Sequence, residues 1–128
     1  YRTVDLSSED IRYCHAAYRE GNIKEFSKEL ARMTPFSPDL APEEILSRLA
    51  KIHGELIIIH PFRDGNGRLT RLLCDLLLMQ ADYRPMRTSE FYNEAFVAKY
   101  HEAIQEMWRT ADHSKLVRLF EPLVSKQP

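Results

Sequence analysis

The chain has 128 residues and a formal net charge of −1, which suits one domain with a single core. So balanced a charge gives no bulk electrostatic case for nucleic acid or an anionic membrane, and any anion site must be local. The longest apolar run, Leu72 to Met79, is interrupted by Asp75 and too short to span a bilayer. The chain opens on Tyr1 with no signal-peptide pattern, which leads us to expect a piece of a longer protein.

In chain order, Ser7-Ser8-Glu9-Asp10 carries hydroxyl caps and acids, a helix start signal. Ile11, Cys14, Ala17 and Tyr18 continue at helical spacing, and Gly21-Asn22 is expected to end that helix. Ile23, Phe26, Leu30 and Met33 form a second amphipathic stripe. Three prolines between Thr34 and Ala41–Pro42 break the pattern, with a short hairpin as a candidate over 34–41. Pro42 suits a first helical position, followed by Glu43 and Glu44 at the positive end of the dipole. Ile45, Leu46, Leu49, Ile52, Leu56 and Ile59 carry this third helix forward. A fourth begins within Asn66-Gly67-Arg68, with Leu69, Leu72, Leu73, Leu76 and Leu77 on its apolar face. Leu78 and Met79 widen that face, so the helix is expected to be covered on most sides and to run until Pro85. Ser89-Glu90 starts a fifth, through Tyr92, Phe96, Tyr100, Ala103, Ile104 and Met107, and a short last helix holds Leu116 to Leu123. The expected fold is an all-α, compact single-domain bundle.

The chemistry is concentrated between the third and fourth helices, in His60-Pro61-Phe62-Arg63-Asp64-Gly65-Asn66-Gly67-Arg68-Leu69-Thr70-Arg71. Gly65 and Gly67 permit positive φ and close ligand approach just before a helix start, where free N–H groups and the dipole favour an anion. Arg68 and Arg71 are three apart, on one face of the first turn, and guanidinium forks match phosphate oxygens. Asp64 is placed to hold Mg²⁺, which takes few protein ligands and shares phosphate oxygens. His60 is a candidate general base. Phe62 is expected to anchor the loop in the core. The same segment also reads as an ordinary polar turn, with Arg68 and Arg71 as surface cations and His60 satisfied by backbone.

These residues resemble the signature of the Fic family, His-x-Phe-x-(Asp/Glu)-Gly-Asn-Gly-Arg-x-x-Arg, filled by His60, Phe62, Asp64, Gly65, Asn66, Gly67, Arg68 and Arg71. The resemblance covers roughly residues 5 to 124. It implies transfer of AMP from ATP to a hydroxyl (Tyr, Thr or Ser) of a target protein, with release of pyrophosphate. It also implies His60 as base, Asp64 as the Mg²⁺ ligand, and Gly65, Asn66 and Gly67 as the anion hole. Arg68 and Arg71 would hold the distal phosphates. The break at 34–41 falls where the resemblance suggests a target-clamping flap, with Phe36 or Leu40 as the apolar clamp. Doc-like relatives, which transfer a phosphoryl group, have lysine where Gly67 stands here; phosphocholine transfer is a further relative chemistry. A helical module that binds nucleotide or a partner without turnover is the reading from another class.

The family's inhibitory helix carries (Ser/Thr)-x-x-x-Glu-(Gly/Asn). The nearest segment here, Ala16-Ala17-Tyr18-Arg19-Glu20-Gly21, lacks the hydroxyl and is read as a helix end. The resemblance therefore implies that a small antitoxin, or a segment outside this chain, supplies inhibition to a toxin or effector domain. Such a domain would work in a bacterial cytosol or, if secreted, in a host cytosol. Among the remaining residues, His53, Tyr100 and Trp108 read as core side chains, and Cys14 and Cys74 as buried thiols in a reducing compartment.

Overall fold

The computed structural model describes residues 1–7 and 13–128. Five α-helices follow one another: α1 (Arg19–Met33), α2 (Pro42–Ile59), α3 (Asn66–Gln80), α4 (Glu94–Thr110) and α5 (Ser114–Phe120). Short 3-10 turns precede α1 and α4 and follow α5. Among the described residues no strand extends beyond an isolated bridge such as Tyr83–Lys126. The all-α expectation is met.

The centre is α2. Pro42 stands at its first turn with Glu43 and Glu44 beside it, so missing donor and negative charge both fall where a helix start tolerates them. Ile45, Leu49, Ile52, Leu56 and the run Ile57–Ile59 are all buried, which covers more than one face. The other four helices each touch α2. Each large apolar side chain sealed this way contributes roughly 1.5–3 kcal/mol relative to exposure. His53 lies inside this core. Its Nε2 is 2.6 Å from the Tyr100 hydroxyl and its Nδ1 is 3.7 Å from Cys74 Sγ, so α2, α3 and α4 share one buried polar contact. Both cysteines are free and buried, as expected.

Several expectations need correction. The helix foreseen from Ser7 falls partly outside the described residues, and Tyr13 to His15 have no helical structure. Gly21-Asn22 does not end a helix, because both lie in the first turn of α1. That position is exposed and needs little of a side chain, while Phe26 supplies the burial that holds the helix. The 34–41 break forms no hairpin; it is a loop that turns at Ser37–Leu40, where the Leu40 N–H donates to the Ser37 carbonyl at 3.1 Å. α3 is not covered on most sides. Thr70, Cys74, Leu77 and Leu78 are buried, while Leu69, Leu72, Leu76 and Met79 face outward. It also ends at Gln80 rather than Pro85. Ser89–Tyr92 is a separate 3-10 turn, and α4 starts at Glu94 because the Asn93 side chain accepts from the Phe96 N–H. Trp108 is 47% exposed, so it is not a core aromatic.

Candidate active site

The site is built where α2 ends and α3 begins. His60 closes α2 in the left-handed region, φ 50° and ψ 61°, with its N–H donating to the Leu56 carbonyl. Pro61 follows and forbids a further turn. The imidazole is half-buried, and its Nδ1 lies 3.2 Å from the Ile57 carbonyl. A carbonyl only accepts, so Nδ1 carries the proton and Nε2 keeps a lone pair. Burial holds the His60 pKa below the usual histidine value; the bond to Ile57 opposes this and the charge of Arg2 adds to it. The imidazole is therefore neutral at pH 7, the form a base requires. Tyr13 stacks flat on it, with 3.6 Å between ring centroids and 12° between planes.

α3 opens on Gly65, whose φ of 83° suits glycine and strains any other residue. No side chain caps this helix start, and no acid lies in its first turn. The first amide N–H groups and the positive dipole end are thus left for a ligand. Arg68 in that first turn and Arg71 one turn on add positive charge near the end where a helix disfavours it. A side-chain carbon at Gly67 would sit 3.2 Å from Arg71 Nη1, and one at Gly65 would sit 3.4 Å from Arg68 Nη2. Each guanidinium therefore folds back over a glycine. Arg71 also lies over the Phe91 ring, 5.7 Å from its centroid. Arg68 meets Asp64 at 3.4 Å, but both are largely exposed, so the pair is worth at most about 1 kcal/mol and yields readily to a phosphate.

His60, Gly67 and Arg71 line one cavity of about 600 Å³, together with Tyr13, Ile57, Thr88, Phe91, Tyr92, Val97, Tyr100 and His101. Asp64 and Arg68 stand on the exposed approach to α3. Asn66 is buried, and its side chain fastens the loop. Its Oδ1 accepts from the Phe62 N–H at 2.9 Å and its Nδ2 donates to the Phe62 carbonyl at 2.6 Å. This clamp, not Phe62, ties down the loop: Phe62 is 37% exposed, against Tyr1. Phe36 and Leu40 are not brought to the site. Phe36 is buried in the core and its N–H donates to Gln80 at the far end of α3, roughly 20 Å along the helix from Asn66. Leu40 is half-buried against the same core. The segment beside His60 is instead N-terminal, with the Arg2 N–H on the Pro61 carbonyl and the Cys14 N–H on the Ile58 carbonyl, both at 2.9 Å. Neither Arg2 nor Tyr13 has a spacing signal that could have marked it.

A profile described as the Fic/DOC family matches residues 1–78. The chain belongs to the Fic/DOC family. Among curated relatives, it is 28% identical over 117 residues to "Protein adenylyltransferase fic-1" of Caenorhabditis elegans, covering 74% of this chain and 23% of that protein. It is 35% identical over 86 residues to "Probable protein adenylyltransferase Fic" of Salmonella typhimurium, covering 64% and 40%. The chain thus spans well under half the length of these relatives. The crystal structure of BepC, a Bartonella tribocorum effector with bound AMPPNP, superposes with a TM-score of 0.79 at 21% identity, covering 99% of this chain and 59% of that one. The N-terminal Fic domain of a Bartonella quintana protein gives 0.76 at 19% identity, covering 98% and 55%. At these identities the two structures show the Fic fold.

Proposed function

We propose that this Fic domain transfers AMP from ATP to a hydroxyl of a target protein and releases pyrophosphate. The observation that carries the proposal is the uncapped, acid-free start of α3 bearing two arginines, beside a neutral His60 on the same cavity. A strongly anionic ligand relieves that concentration of positive charge. Relatives named protein adenylyltransferases support the choice of ATP.

The N–H groups of Gly65, Asn66 and Gly67 receive phosphate oxygens, and Arg68 and Arg71 hold the distal ones with their forks. His60 Nε2 takes the proton of the attacking hydroxyl. The hydroxyl oxygen bonds to the α-phosphorus, the bond from that phosphorus to the bridging oxygen breaks, and pyrophosphate leaves with the bond's electron pair. Pre-set charge and position then supply most of the rate. Asp64 is the residue to hold Mg²⁺. Among the described residues no group of three or more His, Cys, Asp and Glu could hold a metal alone. A single exposed carboxylate beside a phosphate site is nevertheless the donor set that Mg²⁺ accepts. Once bound it would neutralise charge on the bridging oxygens. Gly67, rather than lysine, favours adenylyl over phosphoryl transfer. An inhibitory helix is assigned to a partner such as a small antitoxin or to a segment outside this chain, since Ala16 stands where that motif needs a hydroxyl.

The test supplies α-labelled or γ-labelled ATP with Mg²⁺ and a cell lysate, beside a His60→Ala control. Label from the α position that disappears in the control supports the proposal; label from the γ position alone would replace it with phosphoryl transfer.

A further inference from the structure

Arg2 lies outside every motif above, yet it is 1% exposed. A buried guanidinium is costly unless its donors are met. Backbone carbonyls meet them here. Nε donates to His60, Nη1 to Val4 at 2.7 Å, and Nη2 to Cys14 at 2.5 Å and to Ile59 at 3.0 Å. The Arg2 main-chain N–H donates to Pro61. Ile59, His60 and Pro61 are the successive residues at which α2 stops. A helix end leaves carbonyls unpaired and carries the negative end of the dipole. One arginine from the chain's first residues meets both needs.

His60 adds a reason. A left-handed conformation disfavours any residue with a side chain, by roughly 1–2 kcal/mol, and persists only where the surroundings over-determine it. The same guanidinium gathers Cys14, whose neighbour Tyr13 covers the His60 ring. Arg2 therefore grips the backbone beneath the imidazole and the segment that lies on its face.

We propose that Arg2 is a positioning residue for His60, fixing the left-handed turn and with it the nitrogen that faces the cavity. This rests on the reading of His60 as the base. Lysine cannot substitute, because one ammonium lacks the planar fork that reaches carbonyls on two segments. The titratable and charged groups around the imidazole are Tyr13 on its ring, Arg2 behind its carbonyl, and Arg71, Tyr92, Tyr100 and His101 lining the same cavity.

The test compares wild type, Arg2→Met and Arg2→Lys by NMR of ¹⁵N-labelled imidazoles across pH, with nucleotide binding and turnover measured alongside. Wild-type His60 is expected as one neutral tautomer with its proton on Nδ1. Both variants should show mixed tautomers, and Arg2→Met, having lost the charge, should titrate at higher pH. Turnover should fall at least about tenfold while nucleotide affinity stays within about twofold, the pattern of a displaced base rather than a lost binding site. Should Arg2→Met fail to fold, Arg2→Lys carries the comparison. An unchanged His60 tautomer and midpoint in a folded variant would overturn the proposal and leave Arg2 a structural plug. Absence of turnover in the wild type would count against the transferase reading, while the imidazole comparison would still decide the role of Arg2.

Discussion

At the scale of single residues, the account turns on His60 being neutral and aimed. Its burial lowers the pKa, so the basic form is lost only as pH falls below the ordinary histidine range. The rate of transfer should therefore rise with pH to a plateau, with a midpoint below about 6.5. A pH–rate profile checks this, and a midpoint well above that value would mean another group is the base. His60→Ala should reduce turnover by at least about 100-fold yet leave nucleotide affinity nearly unchanged, because the imidazole acts on the hydroxyl rather than the phosphates. Asp64→Ala should instead abolish the dependence on added Mg²⁺, and a chelator should stop transfer by the wild type without unfolding it; circular dichroism beside the assay separates the two effects.

At the scale of elements, the start of α3 joins sequence to function most directly. Gly67 gives up helix propensity so that the Arg71 guanidinium can lie against it. Gly67→Ala should therefore stabilise the fold by up to about 1 kcal/mol while weakening nucleotide binding. Urea unfolding and calorimetric titration read the two effects separately, and parallel changes in both would refute the reasoning. The helix start at Asn66 was legible, because glycine and arginine spacing is local information, whereas the end at Gln80 and the exposure of Leu72, Leu76 and Met79 were not. Nor were other elements. Gly21-Asn22 has the composition of a stop, but exposed first-turn positions tolerate it and the burial of Phe26 decides. Phe62 was assigned to the core by its apolarity, whereas the loop is fastened by Asn66 through polar bonds that no hydropathy pattern reveals. Phe36 did find a core place, but at the opposite end of α3 from Gly65 and Gly67. The N-terminal residues that border His60 have no periodicity, so their role appears only once the chain is folded.

At the scale of the molecule, one core with α2 at its centre supports the site, and its buried polar contact sets a pH limit. His53 is fully enclosed and its pKa is pushed down to about 3 by burial, with the charge of Arg71 adding to it. The unfolded chain, with a histidine pKa near 6.5, binds a proton that the native state refuses. Stability is therefore expected to be complete above about pH 6.5 and to fall by about 1.4 kcal/mol per pH unit below it on account of His53 alone. Urea denaturation at pH 7.5 and pH 5.5 tests this, and equal stabilities would show that His53 is protonated or solvated in the fold. Cys74 and Tyr100 belong to the same contact. Burial pushes the thiol up to about 12 and the phenol higher still, so neither titrates in that range.

The most direct measurement of the central claim is the intact mass of a modified target. The purified domain, Mg²⁺ and unlabelled ATP would be incubated with a target recovered from the labelling experiment, beside the His60→Ala variant. The account predicts a mass increase of one adenylyl group on a Tyr, Thr or Ser hydroxyl, with pyrophosphate as the co-product and neither in the variant. An increase of one phosphoryl group, or an adenylyl group that persists in His60→Ala, would contradict it.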